Sequence, residues 1–378
     1  MNLIRKINEN FSSKLKVFLV NIFVLSCFLT GIEFFHRLIV FSHDCILYSY
    51  CKTYMFSLFP IDQRGGGVFG LTIYDENLGY VPKPGISVVV DRPTWNNSLV
   101  THTEKGFRQS TRAINNRKIA LTVGDSFAYG FQVSDDSTWQ SCLNQKIDGI
   151  EFTNGGVPGY GTAQSVLRAE QIYSNENYDY LIVQTLVGRD LERDRYKSAF
   201  GLARPYFTKA DKTSELILNM PIDKNYPNTK YGPIKAELLD YVFINFTFLE
   251  RIGPLRKAWR KTEDKLRGEA WIISENPAPV EDILDWSIKK SMSINPSVIW
   301  LLQYGHTINE ITSKERDLIL TKLNKYKVNF IDTYDVLHSN KASKQTNKKL
   351  WNGHHTAEGN EVVCNEIVNH FVANDLIE

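Results

Sequence analysis

Residues 118–126 read Lys-Ile-Ala-Leu-Thr-Val-Gly-Asp-Ser, and their reading decides the fold. Ile119–Val123 is a short apolar run of the kind that forms a strand buried on both faces. Gly124 and Asp125 are turn formers, and Ser126 opens a helix. Strand, tight turn and helix in succession set the Ser126 hydroxyl at a helix N-terminus. Backbone N–H groups without intrahelical partners gather there, at the positive end of the helix dipole. That place suits a nucleophile whose attack creates an oxyanion. The same residues also make an ordinary turn and N-cap, so the rest of the chain has to discriminate.

Downstream, strands and helices alternate. Helices are expected over 138–146, over 162–173 with Thr162 as N-cap, and over 357–371. Strands are expected over 150–153, 178–186, 298–303 and 328–331. Such alternation predicts an α/β fold with a parallel sheet, helices on both faces, and catalytic loops at the carboxyl ends of the strands. Residues 192–290 break the pattern and read as an insertion, mostly helical over 235–265. Its Tyr206, Phe207, Tyr226, Tyr231 and Trp259 would line a groove for a sugar chain or build the small core of a helical cap. Upstream, 74–108 reads as turns and short strands. It is counted with the folded domain, 74–378, after a connector over 38–73 that contains Gly65-Gly66-Gly67.

Three further blocks follow Ser126 in order. They are Asn154-Gly155-Gly156-Val157-Pro158-Gly159-Tyr160-Gly161-Thr162, Leu186-Val187-Gly188-Arg189-Asp190-Leu191, and Gly353-His354-His355-Thr356-Ala357-Glu358-Gly359-Asn360. With Gly124-Asp125-Ser126 the set resembles the SGNH/GDSL hydrolases, over residues 74–375. The resemblance implies a flavodoxin-like three-layer sandwich and an esterase or acyltransferase that works through an acyl-serine. It implies Ser126 as nucleophile, with Asp125 beside it, the N–H groups of Ser126 and Gly156 as oxyanion donors, and a histidine of the last block as base. In the family that histidine commonly stands five residues before the Gly of the closing helix, so Gly359 selects His354, with His355 its neighbour.

Two positions depart from the family. Where it has an Asp shortly before the histidine, this chain has Trp351 and Asn352. Asn352 can hold the imidazole but brings no charge to stabilise imidazolium. Where the family has an oxyanion-hole Asn, this chain has Arg189, a longer and charged donor. Asp190 can instead pair with Arg189. His306 and His338 belong to no block and read as structural.

The N-terminus differs from the rest. Arg5, Lys6, Lys14 and Lys16 precede an apolar stretch over 17–32, interrupted only by Asn21, Ser26, Thr30 and Gly31. It is just short of the about 17–25 residues of a membrane span, and Lys14, Lys16 and Arg37 can snorkel to extend it. No small-x-small site precedes Glu33. Residues 1–37 therefore read as a basic flank and uncleaved transmembrane helix, with the large domain outside the cytoplasm; a cleaved signal peptide and a buried core helix are the competing readings. An exported domain can join Cys45 to Cys51, whereas Cys142 and Cys364 read as small buried hydrophobes. No spacing suggests a metal site, no cofactor is implied, and a formal net charge of +2 makes no case for nucleic acid.

Two functions stand. One is a membrane-anchored, exported esterase or O-acyltransferase acting on an acyl ester, chiefly acetyl, of a cell-surface polysaccharide. The other is a catalytically silent protein of the same fold that binds or assembles glycan. A phosphate site in the glycines over 155–161 lacks the Lys-Ser/Thr pair of a P-loop.

Overall fold

Strand order is the feature that positions the site. In the computed structural model five strands form one parallel sheet: β1 (Asn116–Val123), β2 (Gly149–Asn154), β3 (Tyr180–Leu186), β4 (Ile299–Gln303) and β5 (Asn329–Asp332). Their spatial order is β2-β1-β3-β4-β5. This is the flavodoxin-like order, in which a crevice opens at the carboxyl ends of β1 and β3, where the winding reverses. The structure describes residues 15, 17–32, 71–90, 95, 97–112, 116–199, 202–210, 215–221, 271–338 and 349–377.

Helices cover both faces, as the alternation requires. After β1 come α1 (Ser126–Tyr129) and α2 (Trp139–Lys146), after β2 comes α3 (Thr162–Tyr173), and after β3 comes α4 (Asp190–Arg193). Then follow α5 (Val280–Ile294), α6 (Glu310–Tyr326) and the closing α7 (Ala357–Ala373). Successive side chains of a strand point to opposite faces, and the core splits accordingly. Leu121, Val123, Leu181, Val183, Trp300 and Leu302 pack with α3, α5 and α6. Ala120, Phe152, Ile182, Ile299, Leu301 and Ile331 pack with α2 and α7. Burial on both faces is why these strands read as unbroken apolar runs.

Several expectations are corrected. Thr162 is the first helical residue of α3, not its cap. Its hydroxyl meets that of Thr185 at 3.2 Å, and Asp194 caps the helix instead, accepting from the N–H groups of Ala163 at 2.7 Å and Gln164 at 3.2 Å. The expected insertion over 192–290 overlaps α5, whose Ile283, Leu284 and Ile288 belong to the main core. Phe207 is also buried, 4.9 Å from the ring of Trp286, rather than lining a groove. Tyr226, Tyr231, Trp259 and the expected helix over 235–265 lie outside the described residues, as do Cys45 and Cys51.

Contacts divide the chain into a unit of Met1–Arg64 with Ile234–Leu266 and a unit of Gly65–Pro233 with Arg267–Glu378. In the first, residues 17–32 are helical and carry exposed Phe18, Phe23 and Phe28. The expected transmembrane helix is not met there: among the described residues no helix is long and apolar enough to cross a membrane. At 1.5 Å per residue the described helix spans about 24 Å, against about 30 Å of hydrocarbon.

Cys142 and Cys364 are not separate hydrophobes but a disulfide, and it joins α2 to α7 across 222 residues of sequence. The loop closed is long enough that chain entropy assigns it about 5 kcal/mol, and native disulfides typically contribute 2–5 kcal/mol. Reduction, or Cys142→Ser with Cys364→Ser, is expected to lower the unfolding temperature clearly in calorimetry. An unchanged melting curve would show that the two thiols are not joined in the folded protein.

Candidate active site

Ser126 stands where β1 ends. Gly124 is glycine because β3 comes close: a Cβ there would lie 2.2 Å from the Gln184 side-chain oxygen. The same oxygen accepts from the N–H of Asp125 at 2.9 Å. Asp125 is the N-cap of α1, its Oδ1 accepting from the Phe127 N–H at 2.8 Å. Helix α1 is a single turn of 4 residues, so local N–H groups, and not a long helix dipole, are what it offers an anion. Ser126 Oγ lies 2.9 Å from His354 Nε2 and 3.3 Å from Asp125 Oδ2.

His354 comes from a two-residue hairpin in which Trp351 pairs with His355 and Asn352 with His354. Its N–H donates to the Gln132 side-chain oxygen at 3.1 Å. Its ring sits 5.0 Å from that of Phe127 and 4.8 Å from that of Phe131. This apolar burial pushes the imidazole down to about 4; Asp125 pulls it up and Arg193 presses it further down. At neutral pH His354 is therefore an uncharged base within reach of a hydroxyl. His355 is buried against Trp351 and Phe127 and is pushed down to about 3, also by burial.

The orienting partner is missing. His354 Nδ1 is buried and has no hydrogen-bond partner among the described residues, and Asn352 is exposed. Asn352 nonetheless faces His354 across the hairpin, where side chains are neighbours. A step that uses this imidazole as its base is expected to hold its rate down to about pH 5 and to halve near pH 4, as the imidazole protonates. Asn352→Asp sets a carboxylate one cross-strand step away. It is expected to move this acidic limb upward and to raise the neutral-pH rate, because the charge favours imidazolium. An unmoved limb in the pH–rate profile would show that the side chain at 352 does not reach.

Two of the expected oxyanion donors, Gly156 and Arg189, are corrected. The Gly156 N–H donates to Asn154 Oδ1 at 3.0 Å and is not available. Gly156 is glycine for packing, since a Cβ there would lie 2.4 Å from the backbone nitrogen of Tyr129. Arg189 is exposed, and its N–H turns back to the Leu186 carbonyl at 3.2 Å. Asp190 pairs with Arg193 at 2.5 Å rather than with Arg189. At this end of the sheet the N–H groups of Ser126 and Gly159 have no acceptor among the described residues.

The charged run 192–195 falls in the expected insertion, yet two of its members hold the site. Arg193 Nη1 donates to Asp125 Oδ2 at 2.8 Å and to the Tyr160 carbonyl at 3.2 Å. Asp194, raised to about 6 by burial, caps α3 and faces Arg204 at 3.7 Å. Arg204, fully buried, donates to the Gly159 carbonyl at 3.0 Å. Tyr80 donates to the Pro158 carbonyl at 3.2 Å, and Tyr160 donates back to the Tyr80 carbonyl. The 156–161 loop is thus held from both sides by segments outside every motif. The one legible signal is the i, i+3 spacing of Asp190 and Arg193 on a helical turn.

No family model matches the sequence, and no curated protein does. In structure the chain is similar to a lipolytic protein of the G-D-S-L family from Veillonella parvula, at 12% identity over 67% of this chain and 98% of that one, with a TM-score of 0.37. It is similar to a psychrotrophic esterase from Pseudoalteromonas sp., at 8% identity over 68% and 97%, with a TM-score of 0.36. It is also similar to a catalytic mutant of an acetylxylan esterase from Geobacillus stearothermophilus, at 11% identity over 68% and 94%, with a TM-score of 0.37.

Proposed function

We propose that this protein is a serine esterase or acyltransferase whose nucleophile is Ser126 and whose base is His354. The observation that carries the reading is the 2.9 Å approach of Ser126 Oγ to a half-buried, uncharged imidazole at the switch point of a parallel sheet. Ser126 Oγ attacks an ester carbonyl and its proton passes to His354 Nε2. The N–H groups of Ser126 and Gly159 receive the oxyanion. The acyl–oxygen bond breaks, and the leaving alkoxide takes the proton from the imidazolium. Water or a sugar hydroxyl then attacks the acyl-serine, giving its proton to His354, which passes it to the departing Ser126 Oγ.

The proposed substrate is an acyl ester, chiefly acetyl, of a cell-surface polysaccharide, and the proposed location is outside the cytoplasm. The Cys142–Cys364 disulfide supports export, because such bonds persist in oxidising compartments. Membrane attachment through the basic and apolar segment of residues 1–37 belongs to the same proposal. Release of the protein from membranes by high salt alone would refute that attachment.

The orphaned Nδ1 of His354 favours a second reading, a silent glycan-binding protein. Mass spectrometry of the full chain after treatment with a fluorophosphonate separates the two. A stoichiometric adduct on Ser126 is the expected result. A folded protein without an adduct overturns the enzymatic reading and leaves glycan binding to be measured.

A further inference from the structure

Arg193 belongs to no motif, yet one of its nitrogens meets three oxygens. Nη1 lies 2.8 Å from Asp125 Oδ2, 2.5 Å from Asp190 Oδ1 and 3.2 Å from the Tyr160 carbonyl. Both carboxylates are buried; burial and the Asp125 charge push the Asp190 carboxyl well up and Arg193 opposes them, so the cation favours charge that is otherwise costly there. A second consequence concerns the nucleophile. The Ser126 hydroxyl has one proton and two acceptors in reach, His354 Nε2 at 2.9 Å and Asp125 Oδ2 at 3.3 Å. A proton given to Asp125 leaves His354 without its task. The guanidinium sits on that same Oδ2 and competes for its lone pairs. Through the Tyr160 carbonyl it also ties the nucleophile turn to the loop bearing Gly159.

We propose that Arg193 is a positioning residue for acyl transfer: by engaging the Asp125 carboxylate and the Tyr160 carbonyl together, it directs the Ser126 hydroxyl proton to His354 and fixes the nucleophile against the Gly159 loop. This rests on the acyl-serine reading above. The charged and titratable groups facing His354 are Asp125, Arg193 and the buried His355. The Arg193 charge disfavours imidazolium, so its removal raises the pH at which the base is lost.

The test is the second-order rate at which a fluorophosphonate labels Ser126 in the full chain, measured across pH. In that step the Ser126 O–H bond breaks with its proton going to His354, the Oγ–P bond forms, and fluoride departs. Arg193→Met is expected to label about 100-fold more slowly, the lower range for losing effective general-base assistance, with its acidic limb moved upward. Arg193→Lys keeps the charge and is expected to recover part of the rate with the limb unmoved. Arg193→Met can also destabilise the fold, so Arg193→Met combined with Asp190→Asn removes one buried carboxylate together with the cation. This pair is expected to regain stability and stay slow. A folded double variant that labels at the wild-type rate would reduce Arg193 to charge balance and overturn the proposal. A wild-type protein that does not label overturns the acyl-serine reading itself, and this inference with it.

Discussion

Ser126→Ala is expected to lose ester turnover by about 10⁴-fold or more, the scale on which a nucleophile acting with its base is lost as a unit, while the protein remains folded. The two halves of that expectation have separate causes. The chemistry goes because no other hydroxyl lies within hydrogen-bond distance of His354 Nε2 among the described residues. The fold stays because, among the described residues, the hydroxyl forms hydrogen bonds only to His354 and to Asp125. Such bonds contribute about 1 kcal/mol net. The capping bond from the Phe127 N–H to Asp125 Oδ1 does not involve the Ser126 side chain. Alanine is also the best helix former at the first position of α1. Turnover of an aryl acetate and urea unfolding of the variant check both halves, and turnover equal to wild type would remove Ser126 from the mechanism.

His354→Ala and His355→Ala are expected to fail in different ways. Loss of His354 removes the proton acceptor and should lower kcat by about 10³-fold or more, within or above the range for general-base assistance. His354 is partly exposed, so the stability cost is the smaller effect. His355 touches no reacting atom. Its ring fills space between Trp351, 5.8 Å away, and Phe127, 4.8 Å away. Truncating it leaves a cavity, for which large-to-small core changes cost about 2–5 kcal/mol, with kcat reduced far less than by His354→Ala. Paired measurements of kcat and unfolding temperature distinguish the two. The reverse pattern, with His355→Ala silent and His354→Ala merely unstable, would put the base one residue later.

How far the sequence reached follows from what each residue depends on. The strand over 119–123 and the position of Ser126 were legible because apolar runs and turn residues act locally. His354 was singled out by the family resemblance, which sets the histidine five residues before Gly359, where a Cβ would lie 2.3 Å from the Leu350 carbonyl. The role given to Gly156 was wrong for a non-local reason. Asn154 folds back onto its N–H, and the glycine is required by the approach of α1. Arg189 reads from the family pattern as an oxyanion donor, or else as the partner of Asp190, its neighbour in sequence. Helix α4 instead turns Asp190 toward Arg193 and leaves Arg189 in solvent.

The sequence by itself determined the alternation of strand and helix, the layers that follow from it, and the place of the Ser126 hydroxyl where a strand gives way to a helix. These depend on periodicity and turn chemistry within a few residues. Only the tertiary structure decided that Cys142 meets Cys364, that Asp194 caps a helix 31 residues upstream, and that Arg193 lies against the nucleophile turn. A charged side chain on the surface and one that neutralises buried carboxylates carry the same letter in the sequence. What separates them is desolvation, and desolvation is set by which distant segments close over the residue once the sheet has formed.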